Sequence, residues 1–257
     1  MKPLYLALLP ALVLCACVQK TTYSGTDMQV AQMEYDAEAA ARDRVSLGLA
    51  YLQRGDATQA KFNLERALEQ APTSTEVLLA MAYYHDTVKD SVKAEQFYRK
   101  AVSLDRGHGD AANNFGVFLC RQQRFVEADR WLNQAVETPG YIRMSQTYEN
   151  LGLCARQAGW TEKALGYFEQ ALNYDPRRAE ALLEVAELSF NAQQWNEARS
   201  YLERYHQSGH ESPSSLLLGA ELEFGVQNTD AARRFGVLLL AKYPDSEQAK
   251  TYRTKYY

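Results

Sequence analysis

The chain contains 257 residues with a formal net charge of −4, 46% hydrophobic residues and four cysteines. This length suits one large domain or a repeat array, and the apolar content is that of an ordinary globular protein. Positive and negative charges are mixed along the sequence without a stripe of Lys and Arg, which argues against a nucleic-acid-binding surface.

The amino-terminal segment has the pattern of an export signal. Lys2 is a short positive region, residues 4–14 form an apolar run, and the small Ala16 stands directly before Cys17. The run is too short to span a bilayer, which takes about 20 apolar residues. A disulfide between Cys15 and Cys17 would require a strained ring, and a zinc or iron-sulfur site would require about four ligands. The sequence Leu14-Cys15-Ala16-Cys17 instead resembles the lipobox of bacterial lipoproteins.

The lipobox resemblance implies that residues 1–16 are a signal peptide and that Cys17 is lipidated as the first mature residue. Several acyl chains together give a stable membrane anchor. Val18 stands where an aspartate would resemble an inner-membrane retention signal, so we expect the periplasmic face of the outer membrane. The alternative is an ordinary secretory signal that is cleaved elsewhere.

Residues 17–27 are polar, contain glycine and show no periodicity, so we expect a tether between lipid and domain. Asp27 is a candidate cap for a leading helix over residues 28–44, which runs into the following domain. That domain is predicted to occupy residues 28–257.

From residue 41 onward the sequence repeats with a period of about 34 residues. Small residues stand at the same place in each unit, with gaps of 34, 34, 36, 34 and 34: Ala60, Ala94, Ala128, Ala164, Ala198 and Ala232. Each unit shows two apolar patterns with helical spacing, joined by a turn such as Arg54-Gly55-Asp56. Pro72, Pro176 and Pro244 follow the second pattern, where proline ends a helix.

This pattern resembles the tetratricopeptide repeat (TPR), and the resemblance covers residues 41–246. It implies an all-α, right-handed superhelical solenoid, because one helix pair cannot bury its own apolar face. The six expected helix pairs occupy residues 41–74, 75–108, 109–144, 145–178, 179–212 and 213–246, followed by a terminal cap at 247–257.

The repeats are not uniform. Two extra residues precede the fourth repeat, where Pro139-Gly140 interrupts the helical pattern. Repeats five and six match least well, because Tyr205 and Leu239 replace a second alanine and Gly236 replaces a large residue.

No constellation of catalytic residues is evident, so we expect neither an enzyme nor a cofactor. His206 and His210 have the i, i+4 spacing of metal ligands, and Glu211 is nearby, but Ser208-Gly209 interrupts the helix that would align them. We therefore expect solvated loop histidines and no metal site.

The TPR register places certain positions of each first helix on the concave face, where solenoids bind segments of other proteins. Repeats one and two give an apolar strip there: Val45, Leu49, Leu52, Leu79 and Tyr83. Exposed apolar patches commonly mark partner sites. The alternative is that the leading helix folds back over the strip.

Repeats three and four place polar side chains in or beside the same groove: Asn113, Asn114, Arg121, Glu149, Asn150 and Arg156. Asn side chains can bind a peptide backbone through paired donor and acceptor bonds. The alternative is a hydrated surface without a partner.

Cys120 and Cys154 occupy nearly equivalent positions on adjacent first helices. Since such helices pack side by side, a disulfide between repeats three and four is geometrically plausible in an oxidising compartment. The alternative is a pair of small buried thiols.

Two segments carry a closer resemblance, NNFGVFLCRQQRFVEADRWLNQAVETPGY and ENLGLCARQAGWTEKALGYFEQALNYDP. With the lipobox and six repeats, they resemble the type IV pilus biogenesis lipoproteins of the PilF/PilW family, although Phe115 stands where that family leads us to expect Tyr. The resemblance implies a pilotin, a lipoprotein that binds subunits of the outer-membrane secretin and promotes ring assembly. A general periplasmic TPR scaffold and a metal-dependent or hydrolytic enzyme are the alternatives, and we expect a monomer.

Overall fold

The computed structural model describes residues 36–104 and 108–256. These residues form thirteen α-helices and no strand: α1 Ala37–Gln53, α2 Ala57–Gln70, α3 Thr75–Thr87, α4 Ser91–Leu104, α5 Gly109–Arg121, α6 Phe125–Val136, α7 Met144–Gln157, α8 Thr161–Tyr174, α9 Ala179–Asn191, α10 Trp195–Gln207, α11 Pro213–Gly225, α12 Thr229–Lys242 and α13 Glu247–Tyr256. The predicted all-α array of helix pairs is confirmed over this part of the chain.

The helices form two layers within the compact unit Ala37–Tyr257. Each odd-numbered helix from α1 to α11 packs against the even-numbered helix that follows it, and this pair is one repeat. The first helices also contact one another in sequence, α1 with α3, α3 with α5, and so on to α13. They therefore form a continuous layer, and that layer bears the candidate site.

Several predictions concern residues outside the described ranges. These are the signal peptide, the lipidation site Cys17, the tether over residues 17–27 and the leading helix up to residue 35. Within the described ranges, α1 begins at Ala37 and continues into the first repeat. None of the described helices combines the length and the apolar character that a membrane span requires.

The small residues of the repeat lie where the two helices of a pair cross. Ala60, Ala128 and Ala164 are completely buried. The glycines opposite them leave no room for a side chain: a Cβ on Gly116 would lie 2.6 Å from Leu132, and one on Gly152 would lie 2.5 Å from Phe168. The period of the sequence is therefore the spacing of these close crossings.

A left-handed backbone turn joins the two helices of every repeat. Glycine occupies it in repeats one and four, at Gly55 (φ 82°) and Gly159 (φ 76°). In the other four repeats the equivalent residue is not glycine but also has positive φ: Lys89, Gln123, Gln193 and Gln227. The turn geometry is thus common to the array although the residue is not.

The last helix closes the open end of the array. α13 contacts α11 and α12, and it buries Ala249 and Tyr252. A Cβ on Gly236 would lie 2.0 Å from the Tyr252 ring. Gly236 replaces a large residue of the repeat because Tyr252 of the cap fills that space.

Candidate functional site

A pocket of about 580 Å³ opens on the layer of first helices in repeats one to three. Its walls come from residues at helical spacing on α1, α3 and α5, with one residue each from α4 and from the connection before α7. The lining residues are Val45, Leu49, Gln53, Glu76, Leu79, Ala80, Tyr83, Tyr98, Asn114, Val117, Arg121 and Arg143. We call this cavity the groove pocket.

The floor of the groove pocket is apolar. Val45 is almost fully buried, whereas Leu49 and Leu79 are half-buried and Tyr83 is 45% exposed at the edge. Val117 of α5 completes the floor and is also half-buried. The floor therefore combines a fixed base with partly accessible aliphatic and aromatic side chains, as is usual in ligand pockets.

Two arginines line the side of the groove pocket near repeats three and four. Arg121 forms an ion pair with Asp86 of α3, and Arg143 Nη1 lies 3.0 Å from Asp110 Oδ1. Tyr98 also lines the pocket, and burial raises the pKa of Tyr98 to about 12. This side of the pocket offers hydrogen-bond donors, while the opposite side is apolar.

Of the predicted apolar strip, Val45, Leu49, Leu79 and Tyr83 line the groove pocket. The placement of Leu52 on the groove surface is wrong. Leu52 is 8% exposed and belongs to the apolar core that α1 shares with α2 and α3.

The prediction that polar side chains of repeats three and four lie in or beside the groove holds only for some of them. Asn113 does not face the groove. Asn113 is 6% exposed, and its Oδ1 accepts hydrogen bonds from Thr147 Oγ1 and Asn150 Nδ2, each at 3.0 Å. Its Nδ2 donates to Asn114 Oδ1 at 3.2 Å. Asn113 and Asn150 therefore join α5 to α7, and only Asn114 lines the pocket.

Glu149 and Arg156 lie in ion pairs between repeats four and five, away from the groove pocket. Both Glu149 oxygens accept from Arg178, the residue directly before α9, at 2.8 and 2.9 Å. Arg156 pairs with Glu184 and, at 2.9 Å, with Glu187. The hydrogen bond to Glu184 raises the pKa of Arg156, while burial raises the pKa of Glu184. These pairs connect neighbouring helices in the first-helix layer.

A disulfide joins Cys120 of α5 to Cys154 of α7, with the two Cα atoms 5.7 Å apart. It links repeats three and four directly beside Arg121. The side of the groove pocket that contains Arg121 therefore belongs to two repeats that are crosslinked by a disulfide.

The histidines of repeat five lie apart from this site. His206 is inside α10, half-buried rather than in a solvated loop, and its Nε2 lies 3.1 Å from Ser215 Oγ. Burial lowers the pKa of His206. His210 Nδ1 instead lies 2.9 Å from Ser208 Oγ. Over the described ranges, no group of three His, Cys, Asp or Glu side chains has the arrangement of a metal site.

Sequence reasoning missed half of the groove pocket: Gln53, Glu76, Ala80, Tyr98, Val117 and Arg143. Gln53 follows Val45 and Leu49 at four-residue spacing and was detectable from the helical period. Arg143 lies in the lengthened connection before α7, and the two extra residues were the available clue. Tyr98 belongs to a second helix, where the repeat pattern predicts only a core role.

Comparisons with known proteins match the chain both to the tetratricopeptide repeat fold and to proteins of type IV pilus assembly. Tetratricopeptide repeat models match residues 45–111 and 155–222. The type IV pilus assembly protein PilF of Pseudomonas aeruginosa is 35% identical over 216 residues, which cover 84% of this chain and 86% of that protein.

The solved structures of two type IV pilus proteins resemble the chain over most of its length. The P. aeruginosa PilF structure has a TM-score of 0.76 at 33% identity and covers 85% of this chain and 98% of that one. The crystal structure of PilW, described as a widely conserved type IV pilus biogenesis factor, has a TM-score of 0.73 at 27% identity, with coverages of 83% and 98%.

Proposed function

Since the chain belongs to the PilF family of TPR proteins of type IV pilus biogenesis, we propose that it is a pilotin. In this role it binds subunits of the outer-membrane secretin and promotes their localisation and multimerisation. The role is one of binding and needs no catalytic group.

The groove pocket is the observation that carries the proposal. At about 580 Å³ it is large enough for several side chains of a bound segment. Leu49, Leu79 and Tyr83 provide partly exposed apolar contact, and Arg121 and Arg143 provide donors along one side. A secretin segment with two or three apolar side chains and an acceptor group beside them matches this lining.

Lipidation at Cys17 completes the proposed role. A carrier of secretin subunits has to reside at the membrane where the ring assembles, and acyl chains on Cys17 would hold it at the periplasmic face of the outer membrane. Growth with radiolabelled palmitate should label the wild-type protein and leave a Cys17→Ser variant unlabelled. An unlabelled wild-type protein would contradict the anchor.

The test of the pilotin role is the amount of heat-stable secretin multimer in outer membranes. We expect a deletion strain to lose the multimers, and Leu49→Asp to reproduce the loss because it places a charge on the apolar floor. Tyr83→Ala, at a 45% exposed side chain, should weaken assembly without affecting folding. Val237→Asp is the matched control, since Val237 is 62% exposed on α12 and lies outside the groove pocket.

Normal multimers in the deletion strain would refute the pilotin role. Co-purification with envelope enzymes or peptidoglycan, together with intact pili, would then favour a general periplasmic scaffold. If deletion abolishes the multimers while folded Leu49→Asp and Tyr83→Ala proteins restore them, the docking site lies elsewhere on the chain.

A further inference from the structure

The connection between α6 and α7 exposes a large apolar side chain to an unusual degree. Ile142 is 90% exposed, more than any other large hydrophobic side chain in the described ranges. It lies in the stretch where the repeat is two residues longer than elsewhere. Single exposed apolar residues are common on protein surfaces, so the surroundings of Ile142 decide whether it has a role.

The backbone around Ile142 is fixed by contacts on both sides. The Tyr141 ring packs on Gly109, where a Cβ would lie 2.4 Å from the ring. The Tyr141 hydroxyl lies 2.8 Å from Thr147 Oγ1, which belongs to the buried hydrogen-bond network of α5 and α7. On the other side, Arg143 pairs with Asp110 at 3.0 Å. Ile142 therefore projects from a well-anchored connection.

Ile142 is also adjacent to the proposed docking site. Arg143 lines the groove pocket and, at the same time, a second depression of about 240 Å³. The lining of that depression comes from the start of α5 and the connection before α7: His108, Gly109, Asp110, Thr138, Pro139, Gly140, Tyr141, Ile142 and Arg143. The two cavities thus share the Arg143 side chain as a common wall.

We propose that Ile142 is a second anchor for the same secretin segment that occupies the groove pocket. The segment crosses Arg143, where an acceptor on the segment meets the guanidinium, and an apolar side chain beyond that point packs against Ile142. Because the connection is already held by Tyr141 and Arg143, little conformational entropy is lost when it binds, which favours affinity. This inference rests on the proposed function, since it extends the partner of the groove pocket.

The test is the dissociation constant of the purified full-length protein with the purified secretin subunit. We expect Ile142→Ser to weaken binding about tenfold, the effect of losing about 1.4 kcal/mol of apolar contact. Val92→Ser is the matched control, because Val92 is 71% exposed on α4 and lines neither cavity. Neither substitution touches the core, so both proteins should fold normally.

The outcomes separate this inference from the proposed function. If the unmodified protein does not bind the secretin subunit, the proposed function is wrong and this inference with it. If the unmodified protein binds and Leu49→Asp abolishes binding, but Ile142→Ser binds as tightly as Val92→Ser, the groove pocket is the docking site and the second anchor is refuted.

Discussion

Two junctions of the same array are built from opposite kinds of contact. Between repeats three and four, Cys120 and Cys154 form a disulfide and Phe115 and Leu119 belong to a large apolar core. Between repeats five and six, the separate apolar cluster contains only three buried residues, Ala186, Leu202 and Leu218. The junction of repeats three and four is covalent and has a large apolar core, whereas the junction of repeats five and six has only a small apolar cluster.

Polar groups take the place of apolar packing at the junction of repeats five and six. Glu223 of α11 is 5% exposed, and its carboxylate accepts from Arg199 at 2.7 and 3.0 Å and from Asn228 at 2.8 Å. Beside this network is a cavity of about 270 Å³ lined in part by Leu202, His206 and Phe235. This junction is therefore less closely packed than a continuous apolar core.

A uniform repeat therefore does not give uniform stability. In a solenoid, stability is approximately the sum of the repeats and their nearest-neighbour interfaces. We expect local unfolding to begin in α11 to α13, while the groove pocket and the Ile142 connection remain ordered. The strongly joined repeats are the ones next to the proposed docking site.

Removing the disulfide should cause the largest loss of unfolding free energy. It should also reduce the difference in stability between the two junctions. A crosslink across a sequence separation of 34 residues restricts the unfolded chain, so a Cys120→Ala, Cys154→Ala double variant should lose about 3 kcal/mol of unfolding free energy. Urea unfolding measures the loss. Reductant should destabilise the wild-type protein similarly and leave the variant unchanged, whereas equal stability of the oxidised wild-type and variant proteins would contradict a stabilising role.

Breaking the polar network at the other junction should cost less and act locally. Glu223→Ala leaves Arg199 and Asn228 without their acceptor, which we expect to cost about 2 kcal/mol. Hydrogen exchange should accelerate in α11 to α13 and remain unchanged in α5 to α7. Glu169→Ala is the control, because Glu169 is exposed on α8 and lies outside this network. Equal acceleration in both regions would show that the array unfolds as one unit.

Much of this architecture is predictable from the sequence because the close crossings repeat. Ala60 and its equivalents stand at a fixed period, and wherever glycine faces them a Cβ has no room, as at Gly116 against Leu132. The lengthened connection before α7 is also visible, since Pro139-Gly140 coincides with the 36-residue gap. Where two backbones pass close together only small residues fit, and this restriction is visible in the sequence as a period of Ala and Gly.

The groove pocket is less predictable because its walls depend on contacts between repeats. The register places Leu52 and Asn113 on the concave side, yet core packing on α2 and α3 buries the first and hydrogen bonds to α7 occupy the second. Tyr98 enters the pocket from α4, and Arg143 enters from an irregular connection. The sequence pattern within one repeat does not show which side chains of the adjacent repeats will contact it.

A substitution at the left-handed turn should stabilise repeats three and six by similar amounts but with different local effects. Gln123 and Gln227 have φ of 59° and 63°, a conformation that costs a residue with a Cβ about 1 kcal/mol. Gln227→Gly should therefore raise the unfolding free energy by about 1 kcal/mol and slow hydrogen exchange in α11 and α12. Gln123→Gly should match the gain without slowing exchange there.

The reverse change supplies the control for the turn. Gly55 has φ of 82°, and a Cβ placed on it would have no neighbouring atom within 4 Å, so Gly55→Ala tests backbone conformation alone. It should lose about 1 kcal/mol. If Gln227→Gly is no more stable than the wild-type protein, the left-handed turn carries no cost in this array.

The smallest expected effect is a pH dependence of stability at the junction of repeats five and six. Burial lowers the pKa of His206, and the Glu211 carboxylate opposes this shift only in part. In the unfolded chain a histidine has a pKa of about 6.5, so the unfolded state binds a proton more readily than the folded state. The stability that neutral His206 contributes is therefore present above about pH 6.5 and is lost as pH falls toward the lowered folded pKa. Thermal unfolding between pH 7.5 and 5.5 should show a shallower decline in stability for His206→Gln than for the wild-type protein. Identical slopes for His206→Gln and the wild-type protein would show that His206 does not couple protonation to this junction.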